Sequence, residues 1–169
     1  YLTHLGKQVK VVLPNPFPDF LRWLPNSHTI QFYAKHEKEA RQIIQDADLI
    51  FCLDFNALDR LQEMRDAVAK SSADKVIIDH HLNPDREMAR MTISHPEACS
   101  TSELVFRLIH QLGGFEQMTR LGATCIYTGM MTDTGGFTYS SSRPEIYEVI
   151  SLLLSKGIDK DKIYRNVFN

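Results

Sequence analysis

Cysteine is scarce and unevenly placed: the chain has three, Cys52, Cys99 and Cys125, with no Cys-x-x-Cys pair. That excludes a disulfide framework and a zinc knot and points to reduced thiols in a cytosolic protein. Long apolar runs are missing as well. No stretch approaches the roughly 20 residues that a membrane-spanning helix needs, and no signal-peptide pattern opens the chain. Neither sign of charge is in excess. A formal net charge of −2 removes the polybasic surface of a long-duplex binder, so any nucleic-acid contact has to be local and small. Repeats and low-complexity linkers are also lacking. What is left, 169 residues with 43% hydrophobic and 24% charged, is the composition of one globular α/β domain with a real core.

Against this plain background one stretch stands out, Lys75-Val76-Ile77-Ile78-Asp79-His80-His81. A short β-branched run bounded by polar residues suits a buried parallel strand, and in open α/β sheets ligands bind just beyond the carboxyl ends of such strands. An acid and two imidazoles are therefore delivered to one sheet edge. Taken alone, the triplet is equally well read as the start of a turn carrying two half-exposed histidines.

Two further segments change that balance. Asp48-Leu49-Ile50-Phe51-Cys52-Leu53-Asp54-Phe55-Asn56 is again an apolar run that stops at an acid, and Gly129 to Phe137 places Asp133 just before paired glycines. Between the first two lies a charged stretch, Ala57 to Lys70, with Leu58, Leu61, Met64 and Val68 near helical spacing. Residues 48 to 81 thus read as a right-handed parallel strand–helix–strand unit, with Asp54 and Asp79 at the same end of the sheet. Carboxylates with imidazole are a donor set for a hard or borderline divalent ion such as Mn²⁺ or Mg²⁺.

In these segments, and in the helix opening Ser100-Thr101-Ser102-Glu103-Leu104-Val105-Phe106, the chain resembles the phosphoesterase domain of the DHH superfamily, whose triplet is here Asp79-His80-His81. Within that superfamily it is most similar to the bifunctional oligoribonuclease and 3′-phosphoadenosine-5′-phosphate phosphatase branch, the nanoRNases. The matching pieces follow the family's order and cover most of the chain. The resemblance implies an α/β fold, a three-layer domain with a mainly parallel central sheet and helices on both faces. It implies Asp54, His80 and Asp133 as metal ligands, with Asp54 bridging two ions, Mn²⁺ expected and Mg²⁺ the alternative. His81 is then the catalytic group facing the substrate phosphate, and Asp79 stands behind the ligands, orienting an imidazole.

The implied activity is that of a cytoplasmic exonuclease and phosphatase. It would hydrolyse phosphoester bonds in very short single-stranded RNA and in 3′-phosphoadenosine-5′-phosphate through a hydroxide activated by two metals. No membrane partner is expected, and a homodimer is the assembly considered. The family's pattern also includes a preceding His-x-x-Pro-Asp-x-Asp motif and a smaller, Gly-rich C-terminal domain. Neither is found here, since no acids follow His4, His28, His36, His95 or His110 at that spacing. Residues 1–169 are accordingly expected to be a DHH phosphoesterase domain truncated at its N-terminus, lacking the substrate-binding domain and inactive alone. Two other functions fit the same residues: a family II pyrophosphatase or exopolyphosphatase-like hydrolase, and a non-catalytic binding domain.

The rest of the chain reads structurally. Tyr1 to Leu5 suits a last helical turn closed by Gly6, and Val9 to Leu13 a strand stopped by Pro14. Prolines 14, 16, 18 and 25 break the next stretch into loop and short helix, where Trp23 belongs to an apolar cluster. Helices are expected over about 36–47, 57–70, 100–112, 116–131 and 144–157, with a short one after Asp159, and a strand over 90–94. Asn83-Pro84-Asp85 marks a turn, Ser100 with Glu103 forms a capping box, and His95, Thr132, Thr134 and Arg143 have structural readings. Asp133 draws attention because an acid closing a buried helix is costly without a cation.

Overall fold

Strand β4 (Asp74–Asp79) is the middle of a three-stranded sheet, hydrogen-bonded on one side to β3 (Leu49–Leu53) and on the other to β5 (Met91–Ser94). Both pairings are parallel, with Leu53 opposite Ile78 and Asp79 opposite Ser94. The β-branched run supplies the reason: Ile77 and Ile78 are buried, as side chains on the two faces of a central strand should be. The ladder runs on past the formal strand ends, where the Asp54 N–H donates to Ile78 O at 3.1 Å and the His95 N–H to Asp79 O at 3.2 Å. Asp54, Asp79 and His95 therefore emerge at one edge.

The computed structural model describes residues 1–168. Contacts divide the chain into two compact units. The strand-bearing unit comprises Val9–Phe17 and His28–Pro96; the helical unit comprises Tyr1–Gln8, Pro18–Ser27 and the chain from Glu97 onward. The α/β class and the parallel pairing are those expected from the sequence, and the strands divide between two sheets. The second sheet joins β1 (Val12–Leu13) and β2 (Gln31–Phe32), also parallel. β1 is shorter than the apolar stretch Val9 to Leu13. Its partner β2 lies between the 3-10 turn Ser27–Thr29 and a turn bonded from Lys35 N–H to Phe32 O, so little backbone is left to pair.

Helices α1 (Glu37–Gln45) and α2 (Arg65–Lys70) complete the strand-bearing unit. Ala40 and Ile44 of α1 share a core with Leu61, Met64, Ala67, Val68 and Tyr33. One expectation fails here: residues 57–70 are not a single helix. Leu58–Met64 is a 3-10 segment broken at Gln62, whose φ of 51° and ψ of −128° are non-helical, and the α-helix begins only at Arg65. The spacing explains the error. Leu58 and Leu61 are three residues apart, the period of a 3-10 turn, and with the break at Gln62 both Leu61 and Met64 are buried.

The helical unit is built from α3 (Thr101–Gln111), α4 (Arg120–Asp133), α5 (Pro144–Ser155) and α6 (Lys160–Phe168). α4 is its centre, burying Ala123, Ile126, Tyr127, Met130 and Met131 against Phe106, Ile146, Val149, Leu153 and Ile163. Gly129 allows α3 to come close, since a Cβ there would collide with Ser102. α4 begins four residues later than the apolar pattern suggests, because Thr119 caps it by accepting the Gly122 N–H at 3.1 Å. Trp23 packs against this core, as expected of a structural tryptophan. No helix among the described residues is long and apolar enough to cross a membrane.

Candidate metal centre

β3 ends at Leu53, and Asp54 turns out of the sheet with φ +64°, a left-handed conformation that acids tolerate better than most residues. Because β3 and β4 are parallel and in register, Asp54 lies beside the end of β4, where His80 and His81 follow Asp79. One donor atom from each of Asp54, His80 and His81 falls within a cluster no wider than 4.8 Å. The His80 Nε2 and Asp54 Oδ1 atoms are 3.7 Å apart. That gap is too long for a hydrogen bond and suits two ligands on one ion, whose bonds to nitrogen and oxygen run about 2.0–2.2 Å. The donor set is one carboxylate and two imidazoles, the chemistry of a borderline divalent ion, so these residues fit a metal.

Behind the cluster sits Asp79, the last residue of β4, with a side chain that is 0% exposed. Its Oδ1 lies 2.7 Å from His81 Nδ1, and its Oδ2 accepts the His81 backbone N–H at 3.1 Å. An ionised carboxylate only accepts, so the ring donates from Nδ1 and its Nε2 is left for other partners. The rings of His80 and His81 meet edge to face, 4.7 Å between centroids. Of the two imidazoles, it is His81, the one read as facing phosphate, that the Asp79 carboxylate contacts.

Asp133 belongs to the helical unit, where it is the final residue of α4 and exposed. The expected burial of this acid is corrected, so burial cost is no argument for a cation here. Its charge is felt within its own unit at Cys99, whose thiol is pushed up to about 12 mainly by burial, with Glu103 and Asp133 adding to the rise. The turn that follows is built by Thr134, whose buried Oγ1 donates to Met130 O at 2.8 Å and accepts the Phe137 N–H at 3.0 Å. Gly135 and Gly136 then take positive φ of 55° and 71°. Thr132, still inside α4, donates back to Thr128 O at 3.0 Å, so Thr134 has the turn-forming role read from sequence and Thr132 a bond within the helix. Arg143 donates to Glu97 O at 2.9 Å, a structural contact.

The capping box is present in altered form. Ser100 Oγ accepts the Glu103 N–H, but the Glu103 carboxylate accepts the Cys99 N–H at 2.7 Å instead of that of Ser100. Sequence reasoning passed over Asn56. It is buried, donates from Nδ2 to Leu82 O at 2.6 Å, and accepts the Asp85 N–H on its own backbone oxygen at 2.7 Å. The available signal was an amide residue two positions past the first acid, with a turn tripeptide, Asn83-Pro84-Asp85, two positions past the triplet.

Parallel strands that end in a carboxylate and paired imidazoles define an α/β protein with a candidate divalent-ion site at its sheet edge. Residues 1–130 match the model of the DHH family, N-terminal domain, and the chain belongs to the DHH family. Among curated proteins it is 29% identical over 158 residues to the bifunctional oligoribonuclease and PAP phosphatase NrnA of Thermus thermophilus, covering 93% of this chain and 43% of that protein. A shorter likeness, 29% over 91 residues, is to the cyclic-di-AMP phosphodiesterase PdeA of Listeria monocytogenes, covering 53% of this chain and 14% of that one. Among solved structures, an exopolyphosphatase-related protein from Bacteroides fragilis superposes with a TM-score of 0.97 at 58% identity, over 99% of this chain and 49% of its own. The chain spans about half the length, or less, of these relatives.

Proposed function

We propose that the whole protein to which this chain belongs is a divalent-ion-dependent phosphoesterase of the cytoplasm, acting on very short single-stranded RNA and on 3′-phosphoadenosine-5′-phosphate. The observation that carries the reading is the cluster of Asp54, His80 and His81 at paired strand ends, with a fully buried Asp79 holding His81. The likeness to the Thermus thermophilus oligoribonuclease and PAP phosphatase supports the substrate class. Asp54 and His80 are the proposed ligands in the strand-bearing unit, and Asp133 is a further proposed ligand. Mn²⁺ is the proposed ion, with Mg²⁺ as the alternative.

Bound divalent ions would supply neutralisation of phosphoryl charge and a nucleophile at neutral pH. The chain's own residues do the remaining work. Asp79 accepts from Nδ1–H of His81, fixing the ring's tautomer and orientation. With Nδ1–H so committed, Nε2 of His81 donates to a phosphoryl oxygen or to the leaving oxygen when the ring is protonated, and accepts a proton when it is neutral. His80 and Asp54 face one another across the 3.7 Å gap.

A second reading is favoured by a specific observation: the 58% identical Bacteroides fragilis structure is described as exopolyphosphatase-related. Hydrolysis of 3′-phosphoadenosine-5′-phosphate, a two-nucleotide RNA and polyphosphate or pyrophosphate, each with Mn²⁺, Mg²⁺ or chelator, separates the two. Metal-dependent turnover of the first two alone is the expected outcome. Turnover of the inorganic substrates alone would move the assignment to the second reading, and no turnover of any would leave a binding domain as the better account.

A further inference from the structure

We propose that Asn56 is a positioning residue that latches the two loops carrying the candidate metal donors, so that Asp54 and His81 keep their spacing before any ion arrives. The inference rests on reading the Asp54, His80 and His81 cluster as the metal-dependent site, with Asp54 and His80 as ligands and His81 beside them, and goes beyond it by naming what holds the cluster in place.

The donors come from two chain segments that leave the sheet in different conformations. Asp54 exits β3 in a left-handed turn, while His80 and His81 open the loop to β5, which contains a second left-handed residue, Asn83, at φ +59°. A ladder bond from Asp54 N–H to Ile78 O joins the two segments where they leave the sheet.

Asn56 provides the tie. Its Nδ2 donates to the oxygen of Leu82, the residue after His81, and its backbone oxygen accepts the N–H of Asp85. Both bonds are short, 2.6 and 2.7 Å, and the residue is only 8% exposed, so water does not readily replace them. Asn56 is two residues from Asp54 and its partner is one residue from His81. Leu82 itself is 68% exposed, so the loop has little apolar anchoring of its own at this point. The side-chain amide is suited to this task, because it donates to a backbone oxygen without adding a charge beside the carboxylates.

The test compares the whole protein with its Asn56→Ala and Ser71→Ala variants. Ser71 is a control in the same unit, equally buried at 8%, whose Oγ donates to Ile44 O at 3.1 Å away from the donors. In the metal-free protein, hydrogen exchange at the His81 and Asp85 amides accelerates in Asn56→Ala while Val76 to Ile78 stay protected, and Ser71→Ala leaves those two amides unchanged. Mn²⁺ affinity, read by the loss of the free-ion electron paramagnetic signal, falls about 10–100-fold in Asn56→Ala, the range for residues that orient ligands, and is retained in Ser71→Ala. A merely structural asparagine would leave Mn²⁺ affinity where Ser71→Ala leaves it, and that result would overturn the proposal. Unchanged exchange at His81 and Asp85 would overturn it too. If the unsubstituted protein bound no Mn²⁺ the metal reading would fall, and exchange alone would decide whether the latch exists.

Discussion

Each unit of the protein holds a carboxylate fully out of solvent, Asp79 in the strand-bearing unit and Glu103 in the helical one. Each accepts a backbone N–H, from His81 and from Cys99 respectively, and each takes one nitrogen-bearing side chain as partner. By burial and hydrogen bonding alone the two are alike. They differ in what the partner can still do. Glu103 pairs with Arg107 one turn along the same helix, at 2.6–2.7 Å, and a guanidinium has no acceptor and keeps its charge. Asp79 pairs with an imidazole that retains a second nitrogen, able to ligate, accept or donate, beside Asp54 and His80. A buried charge demands a partner, but only the partner's remaining chemistry separates a site from a brace.

Substitutions at the two carboxylates test that distinction. Asp79→Asn keeps the shape but adds donors to the group facing Nδ1, and it should lower turnover of the whole protein about 10–100-fold per folded molecule, read from kcat on a two-nucleotide RNA. Glu103→Gln should leave that kcat within about twofold and instead lower stability by about 1–3 kcal/mol, read from urea midpoints. Equal activity losses in both would erase the difference argued here. At His81, replacement by Gln should reduce kcat more than Mn²⁺ affinity; the opposite pattern would exchange the roles of the two histidines.

The smallest effect concerns the thiols. Burial pushes Cys52 up to about 11 and Cys99 up to about 12, from an ordinary value near 9. A thiol whose folded value is raised holds its proton longer folded than unfolded, so its contribution to stability is complete below about pH 9 and is lost as pH rises towards 11–12. Urea midpoints should accordingly fall across that alkaline window. The slope should flatten in a Cys52→Ala, Cys99→Ala double variant compared with its own value at pH 8, and an unflattened slope would assign the loss to other groups.

Much of the strand-bearing unit was legible because its signals are local. Val76, Ile77 and Ile78 announce a central strand, and the abrupt change to Asp79-His80-His81 marks its end. Pro144 at the start of α5, Gly157 after it and Asp159 before α6 were likewise readable, and Asp159 does accept the Lys162 N–H at 2.9 Å. What failed depended on tertiary context. A three-residue apolar spacing from Leu58 to Met64 looks helical in sequence and is resolved as 3-10 only by the core it meets. The exposure of Asp133 depends on how α4 ends, and the choice of Cys99 over Ser100 by Glu103 depends on a loop no pattern encodes. Asn56 was invisible because its partners, Leu82 and Asp85, are 26 and 29 residues away and are reached through backbone atoms.

The proposed function requires metal-dependent phosphoester hydrolysis at the strand-end cluster. Its most direct test is turnover of 3′-phosphoadenosine-5′-phosphate by the whole protein in Mn²⁺, before and after Asp54→Asn, with circular dichroism confirming that both are folded. The expected result is activity that chelator removes and a loss of more than about 100-fold in the variant, beyond the range for residues lying behind the ligands. A folded Asp54→Asn protein with full Mn²⁺-dependent activity would contradict it.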